Sequence, residues 1–258
     1  MYYSKGHFTL LLLLVLQQLV FAVPYYDKMY TKLPSFIKVC HRSDPQLNMC
    51  ARNSLNDLKE RFIVGIPELF IPPIEPLVIP EVKMDQDSGA IYLHSTFKNV
   101  KITGLSNFTL NDITIEPKKL KFSLSTSFLK LSLNSLYIMK GKIMMMPLVG
   151  QGGCQANLTD VELKTVIIGQ KYKKNGVTYI KVKDINLKYE LGKAEMHLEN
   201  LFNGDNALGE RMNSFLNENW ESLSDEVRPL LENAMIEVIR SSTDKIFDAY
   251  SYDDLLPE

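Results

Sequence analysis

The sequence predicts an α+β fold in which a long curved antiparallel β-sheet is wrapped around a long C-terminal α-helix. Two observations predict it. From Ala90 to Leu198 apolar and polar residues alternate, which is typical of antiparallel strands with one wet face. Beyond Leu208 the apolar residues recur at helical spacing. Each element then has one apolar face, and curling the sheet around the helix buries both.

The composition indicates a folded globular protein. The 258 residues are 45% hydrophobic and carry 29 Lys and Arg against 30 Asp and Glu, a formal charge of −1. Nucleic-acid binding depends on clustered cations that neutralise phosphates, so this balance argues against it. With 12 Phe and 12 Tyr the chain has enough apolar surface to offset the entropy lost on ordering, which argues against a disordered protein.

The first 22 residues have the pattern of a secretory signal peptide. Lys5 precedes an apolar run over residues 8–16, and small residues lead to a cleavage position after Ala22. A membrane anchor is the alternative, but Gln17 and Gln18 interrupt the run well short of the ~20 apolar residues that span a bilayer.

We therefore expect two segments, a signal peptide over residues 1–22 and a single domain over residues 23–258. No later stretch is long and apolar enough to span a membrane. The mature chain is expected to be soluble, secreted and extracellular.

Export would place the three cysteines in an oxidising compartment. Cys40 and Cys50 are predicted to form a local disulfide, whose short loop contributes about 2–3 kcal/mol. Cys154 is then unpaired, either as a buried inert thiol, which we favour, or paired with another molecule. The histidines are scattered and no Cys-x-x-Cys occurs, so no metal site is predicted.

Two sequons, at Asn107 and Asn157, have the spacing for N-glycosylation. A glycosylated asparagine must face solvent, so both positions are expected at the surface.

The chain after the signal peptide opens with a helix. Apolar residues recur at helical spacing from Asp44 to Val64, and Gly65 ends the pattern. Five prolines follow within residues 67–80. Because proline lacks an N–H donor, they exclude a helix and a central strand and predict an extended, packed connector.

The middle of the chain predicts six to eight strands joined by short turns. Asn175-Gly176 has the residue types that a type I′ hairpin turn requires. Gly150-Gln151-Gly152-Gly153 superficially resembles a phosphate-binding loop, but the Lys and the following helix are missing. We therefore expect a β-turn or bulge there.

The C-terminal apolar stripe predicts a helix from Leu208 to Ile246. If continuous, its 39 residues would span roughly 58 Å at ~1.5 Å per residue. Pro229 is expected to kink the helix or to mark a restart with Ser224 as the N-cap.

No catalytic constellation is recognisable in the sequence. There is no Gly-x-Ser-x-Gly elbow, no Gly-x-x-x-x-Gly-Lys loop and no His-Glu-x-x-His. Carboxylates such as Glu116 and Asp253-Asp254 are too common to indicate acid–base chemistry. We predict that the protein is not an enzyme and requires no cofactor.

Two long motifs carry a family resemblance. The first is Cys40-His-Arg-Ser-Asp-Pro-Gln-Leu-Asn-Met-Cys50, followed by the proline-rich run from Gly65 to Pro80. The second joins Leu201-Phe-Asn-Gly-Asp205 to Leu216-Asn-Glu-Asn-Trp220 and continues to the end of the chain at Leu256-Pro-Glu258. Both resemble signatures of the insect takeout and juvenile-hormone-binding protein family, over essentially the whole mature chain.

The resemblance implies a tubular lipid-binding fold with an internal hydrophobic tunnel that holds one elongated lipophilic molecule. The takeout-like branch is the most similar. Juvenile-hormone carriers commonly have a second disulfide in the C-terminal half, whereas Cys154 has no partner after Cys50.

Large apolar side chains of the helix and strands are the candidate lining of such a tunnel. Some are expected to fill the core. Which face of each strand points inward is left undecided, because a slip of one residue in the register exchanges the two faces. The run of methionines that includes Met145 suits an irregular core or an adaptable lipophilic pocket. The candidates are Phe215, Leu216, Trp220, Leu223, Val227 and Leu231 from the helix, and Phe122, Leu124, Tyr137 and Met145 from the strands.

The sequence therefore favours a secreted carrier of a fatty acid, an isoprenoid or a juvenile-hormone-like lipid. The alternative is a secreted signalling or interaction protein that acts through its outer surface around a structural tunnel. A lipid-ester hydrolase is the weakest hypothesis, because no nucleophile and base can be proposed. We expect a monomer that binds a hydrophobic small molecule and does not bind nucleic acid. The sequence points to no particular receptor or carrier partner.

Overall fold

A computed structural model of the protein describes residues 32–88, 91–143 and 146–258, with only the backbone described at residues 86–88 and 91. The predicted signal peptide (1–22) and the candidate lining residue Met145 lie outside the described residues.

The N-terminal helix is interrupted once. Helix α1 (Leu47–Asp57) and helix α2 (Lys59–Val64) occupy the predicted range, with Leu58 between them. The amide of Leu58 bonds to Leu55 O at 3.2 Å, an i→i−3 bond that tightens the last turn of α1, and its side chain is buried. Gly65 ends α2 with φ 84°, as predicted.

In the described part of the chain, seven antiparallel strands form one sheet, within the predicted number. Their order is β1-β2-β4-β5-β6, with β3 paired to β4 and β7 paired to β5. Because β1 lies at the edge, it can include Pro80. The strands are β1 (Leu77–Ser88), β2 (Ile91–Thr103), β3 (Thr109–Glu116), β4 (Lys121–Ile143), β5 (Met146–Lys174), β6 (Val177–Glu190) and β7 (Lys193–Leu198).

Strands β4 and β5 run the length of the sheet. They pair with each other from Lys121 opposite Ile168 to Ile143 opposite Met146. The other edge of β4 pairs with β3 near its start and with β2 further along. The other edge of β5 pairs with β7 and then with β6. Both halves of the sheet therefore share the same two central strands.

The predicted hairpin turn at Asn175-Gly176 is confirmed. It connects β5 to β6, and both residues have positive φ, 53° and 81°. A type I′ turn requires this left-handed backbone, which Asn and Gly tolerate best.

The turn or bulge predicted at residues 150–153 is wrong. These residues lie inside β5, where Gly150 pairs with Met139 and Gly152 with Tyr137. A Cβ on Gly150 would lie 2.5 Å from the hydroxyl of Tyr137, and one on Gly152 would lie 2.8 Å from Glu199 O. The glycines therefore permit the close passage of the segment that follows β7.

The C-terminal helical region breaks at a different residue from those predicted. Helix α3 (Asn206–Glu218) and helix α4 (Trp220–Ala249) meet at Asn219, and helix α5 (Tyr252–Leu255) follows. Asn219 Nδ2 donates to Phe215 O at 2.8 Å and competes with the backbone there. Helix α4 continues through Pro229, which lies on its exposed side, where water can solvate the carbonyl that proline leaves unpaired.

Helix α4 contacts both β6 and β1, which stand at opposite ends of the strand order. The sheet must therefore curl around the helix, and the predicted α+β fold is confirmed. Among the helices of the described ranges, none is long and apolar enough to cross a bilayer.

Candidate functional site

Polar contacts fasten α4 to the free edge of β6. Arg228 donates to the backbone carbonyl of Tyr189 at 2.5 Å, and the hydroxyl of Tyr189 lies 3.3 Å from Ser224 O. Lys188 pairs with Glu232 at 3.0 Å. Burial raises the pKa of Tyr189, so its hydroxyl stays protonated and can donate.

A second set of contacts fastens the end of α4 to the last residues of β5, which pair with the start of β6. Asp248 accepts hydrogen bonds from Lys174 and Tyr172, both at 3.1 Å. The bond from Lys174 lowers the pKa of Asp248 and thereby favours its charged form. Among the described side chains, no hydrogen bond or ion pair joins α4 to β1, so the helix is held firmly on the β6 side only.

The inward side of α4 is apolar but incompletely buried. Only Leu223 and Glu232 are buried among its thirty residues. The apolar positions that recur at steps of three, four and seven residues, and therefore share one face, are half-buried. They are Leu231, Met235, Val238, Ile239 and Ile246, which we call the α4 stripe.

An apolar cavity of about 220 Å³, partly open to solvent, lies at the disulfide end of the molecule, and Ile246 of the α4 stripe is part of its wall. Further walls come from α1, β3 and the C-terminal segment. Its polar lining is limited to Lys38 and Ser54, and the hydroxyl of Ser54 donates to Lys38 O at 2.9 Å. The lining is Leu33, Ile37, Lys38, Val39, Cys40, Ala51, Ser54, Leu55, Leu69, Ile113, Ile115, Ile246, Leu255 and Leu256.

The wall of this cavity is built by joining the two ends of the described chain. Cys40 and Cys50 form the predicted disulfide. Arg42, within the disulfide loop, bonds to Glu258 at 2.5 Å, to Asp253 at 2.7 Å and to Leu256 O at 2.8 Å. These bonds raise the pKa of Arg42 above its ordinary value and keep the C-terminal segment in place.

A larger depression, of about 490 Å³, lies on α3 and has a different character. Its walls include Glu210, Arg211 and Glu218, and it is open to solvent. It offers no apolar enclosure.

The predicted lining residues that the structure describes separate into groups, and none of these lines the 220 Å³ cavity. Tyr137, Leu216 and Leu223 are buried in a packed cluster at the α3 end, and Phe215 and Val227 pack against it. These five pack together at that end, and a role for them in ligand contact stays a prediction. Burial raises the pKa of Tyr137 to about 12, and its hydroxyl donates to Glu199 O at 2.7 Å.

The remaining described candidates lie outside that cluster. Phe122 packs against the cluster that contains Cys40 and Leu256, with its ring centroid 6.1 Å from that of Phe247. Leu124, Trp220 and Leu231 are half-buried, and Leu231 belongs to the α4 stripe. A role for these residues in ligand contact stays a prediction.

Sequence reasoning missed most of the cavity wall. The helical pattern of α1 contained Leu55, and the extension of the C-terminal stripe contained Ile246. Leu33 and Ile37 belong to no periodic pattern, and they line the cavity beside Cys40 and the C-terminal residues Leu255 and Leu256. No sequence signal could have identified them.

Other predicted sites have the following surroundings. Asn107 and Asn157 are exposed, as glycosylation would require. Cys154 is buried and has no disulfide partner. Within residues 32–88, 91–143 and 146–258, no group of three or more His, Cys, Asp or Glu side chains is arranged to hold a metal ion.

The fold has a solved counterpart. Takeout 1 of Epiphyas postvittana superposes with a TM-score of 0.72 at 20% sequence identity, over 86% of this chain and all of that one. At this identity the match shows a common fold.

Curated relatives match over nearly their full length. The circadian clock-controlled protein daywake of Drosophila melanogaster is 24% identical over 232 residues, which cover 86% of this chain and 87% of the relative. A putative beta-carotene-binding protein of Schistocerca gregaria is 20% identical over 224 residues, or 86% and 88% of the two chains.

The family comparison spans both the disulfide loop and the C-terminal helices. The model of the haemolymph juvenile hormone binding protein family matches residues 10–257. That range includes both motifs on which the sequence resemblance rested, apart from the final residue Glu258. The chain therefore belongs to the haemolymph juvenile hormone binding protein family.

Proposed function

We propose that this protein is a secreted carrier that binds one elongated hydrophobic molecule between α4 and the sheet. The α4 stripe supports this most directly, because it leads from the apolar cavity at Ile246 toward Leu231 and is only half-buried. Protein cores are normally close-packed, so incompletely covered apolar side chains beside an apolar cavity favour an apolar guest.

The dimensions favour a long ligand. At about 220 Å³ the cavity is smaller than the ~300 Å³ at which small-molecule pockets usually begin. It would hold one end of the molecule, while the rest lies along the α4 stripe. Enclosing roughly 300 Å² of apolar ligand surface at ~25 cal/mol/Å² would contribute about 7 kcal/mol before association costs.

Family membership supports the class of ligand. The name of the family refers to juvenile hormone and the name of one relative refers to β-carotene. Both compounds are isoprenoids. We propose an isoprenoid, a fatty acid or a juvenile-hormone-like lipid. The near absence of polar groups in the cavity wall supports recognition by shape and apolar contact.

Export is part of the proposal. Residues 1–22 would be removed as a signal peptide and residues 23–258 would form the single mature domain. The Cys40–Cys50 disulfide suits an oxidising compartment outside the cell.

The test is to identify what the mature protein carries. It would be expressed in insect cells, purified without detergent, and measured by native mass spectrometry followed by organic extraction. We expect one long apolar molecule per chain, or saturable uptake of fatty-acid and isoprenoid probes by empty protein.

Two tryptophan variants locate the site. Leu231→Trp fills space beside the α4 stripe and should weaken probe uptake at least tenfold. Asn233→Trp places the same side chain on the exposed side of α4 and should leave uptake unchanged.

An empty wild-type protein that takes up no probe would overturn the proposal and favour a signalling protein that acts through its outer surface. Consumption of an ester probe by pure protein would instead indicate a hydrolase.

A further inference from the structure

One outer face of the sheet combines exposed apolar side chains with lysines. Along β4, Tyr137 is 1% exposed and faces the core, whereas the flanking Leu136 and Ile138 are 55% and 53% exposed. Tyr92 on β2 is 51% exposed. These side chains face away from α4, so binding a ligand beside that helix would not cover them.

The lysines lie among these apolar residues in the strand register. Lys98 is directly opposite Leu136, and Lys142 is directly opposite Tyr92. Lys140 lies between Ile138 and Lys142 on the same face of β4. We call Tyr92, Leu136, Ile138, Lys98, Lys140 and Lys142 the outer patch.

The positive charge of the outer patch is concentrated at Lys140 and Lys142. None of its three lysines forms an ion pair among the described residues. Two described carboxylates border the patch. Glu81 is directly opposite Lys98 but pairs with Lys83 at 3.3 Å, and the carboxylate of Glu199 lies over Gly153, which is directly opposite Leu136. Asp85 on β1 pairs with His94 at 3.0 Å. None of the residues directly opposite Lys140 and Lys142 is acidic; they are His94, Val149, Tyr92 and Pro147. The patch is therefore cationic at Lys140 and Lys142, although the whole chain has a formal charge of −1.

We propose that the outer patch docks the protein on an anionic lipid bilayer. The lysines would lie among the headgroup phosphates, where each cation contributes attraction, while Leu136 and Ile138 enter the boundary with the acyl chains. Tyrosine is favoured at this depth because its ring is apolar and its hydroxyl is wet.

The composition favours a bilayer over a protein partner. Protein interfaces are depleted in lysine and enriched in arginine and large aromatic residues, whereas the outer patch has three lysines and no arginine. A second copy of this chain is disfavoured, because a twofold contact would bring the three lysines against their own copies.

Vesicle co-sedimentation tests the proposal on the mature protein. Phosphatidylcholine vesicles would be compared with vesicles that contain about 30 mol % phosphatidylserine. We expect binding to the anionic vesicles only, and a partition coefficient that falls as salt is raised.

Matched lysine variants distinguish a local effect of the outer patch from an effect of the protein's net charge. Lys140→Gln with Lys142→Gln should lower the partition coefficient on the order of 30-fold, about five-fold per lysine. Lys173→Gln with Lys181→Gln changes the net charge equally at the other end of the sheet and should have little effect. Leu136→Ser with Ile138→Ser should also lower binding, while circular dichroism verifies that each variant is folded.

Three results would overturn the proposal. The first is that wild-type protein fails to bind anionic vesicles. The second is that both lysine pairs affect binding equally. The third is a dimer in analytical ultracentrifugation that Leu136→Ser with Ile138→Ser dissociates, which would assign the face to a second copy of the chain.

Discussion

The carboxamide of Asn213 hydrogen-bonds both backbone groups of Leu198. Its Oδ1 accepts from Leu198 N at 2.9 Å, and its Nδ2 donates to Leu198 O at 3.0 Å. One helical turn later, Asn217 makes the same pair of bonds with Met196, both at 2.8 Å. The two asparagines of α3 thus take the place of a neighbouring strand along the free edge of β7.

Replacing Asn213 should destabilise the protein strongly. Asn213→Ala removes two hydrogen bonds and leaves the amide and carbonyl of Leu198, a buried residue, without partners. We expect a loss of about 2–4 kcal/mol in the free energy of unfolding, measured by urea denaturation. Ser214→Ala, at the adjacent exposed position, should change it by less than about 0.5 kcal/mol. Equal urea midpoints for the two variants would contradict the role of Asn213.

Glu75 should make stability depend on acid pH. Its carboxylate accepts hydrogen bonds from Gly104 N at 3.0 Å and from Ser106 N and Oγ at 3.3 and 3.0 Å. Burial raises the pKa of Glu75, but these bonds outweigh it and leave the pKa below its ordinary value. Folding therefore favours the charged form, and this stabilisation is complete above the ordinary carboxyl pKa of about 4.3 and is lost as pH falls through the lowered pKa.

The variant Glu75→Gln tests this dependence. Its deficit in unfolding free energy should be at least about 1 kcal/mol near about pH 6 and should shrink as the pH approaches about 3. Glu60→Gln, on the exposed face of α2, serves as the control. A deficit that does not change with pH would show that the charge of Glu75 is not what matters.

Cys154 should be unreactive in the folded protein. Burial raises the pKa of its thiol, and the thiolate is the reactive form. With a thiol reagent at about pH 8 we expect labelling at least 100-fold slower in buffer than in urea, because reaction requires unfolding. Without reductant, the urea sample should give one thiol per chain, since Cys40 and Cys50 stay oxidised. Rapid labelling in buffer, or a disulfide-linked dimer on a non-reducing gel, would refute this prediction.

Filling the cavity should shorten the longest ligand that the protein accepts. Ile246→Trp adds bulk to the wall of the 220 Å³ cavity. In a fatty-acid series we expect unchanged affinity for short chains and a tenfold or greater loss for the longest. Lys245→Trp, at the adjacent exposed position, should bind the series as wild type does. A uniform loss across all chain lengths would place the ligand terminus elsewhere.

Local patterns predicted the parts of the fold that local chemistry determines. Alternation identified the strands, and Asn175-Gly176 identified its turn because few other residues accept two left-handed positions in succession. The glycines of β5 were misread because their cause is distant. They are required by the passage of Glu199 and its neighbours, 46 or more positions away along the chain.

The candidate site was predicted less completely for a similar reason. The apolar periodicity of the C-terminal sequence selected Leu216, Leu223 and Leu231 alike, but Leu216 and Leu223 lie in a packed cluster whereas Leu231 is half-buried. Apolar periodicity shows which side of a helix is inward but not where the packing leaves space. Leu33 and Ile37 line the cavity together with Cys40 and Leu256, which are distant from each other in sequence and are held by the disulfide and by Arg42.

Strand β5 makes the described domain indivisible. Its 29 residues pair with β4 on one edge and with both β6 and β7 on the other. No cut within β5 leaves two fragments that each keep a complete set of neighbours. Changes in chain length are therefore best tolerated at connections such as Asn175-Gly176, where both residues are exposed. Such an architecture can diversify by substitution along its strands and by growth of its loops, but not by exchanging one half for another.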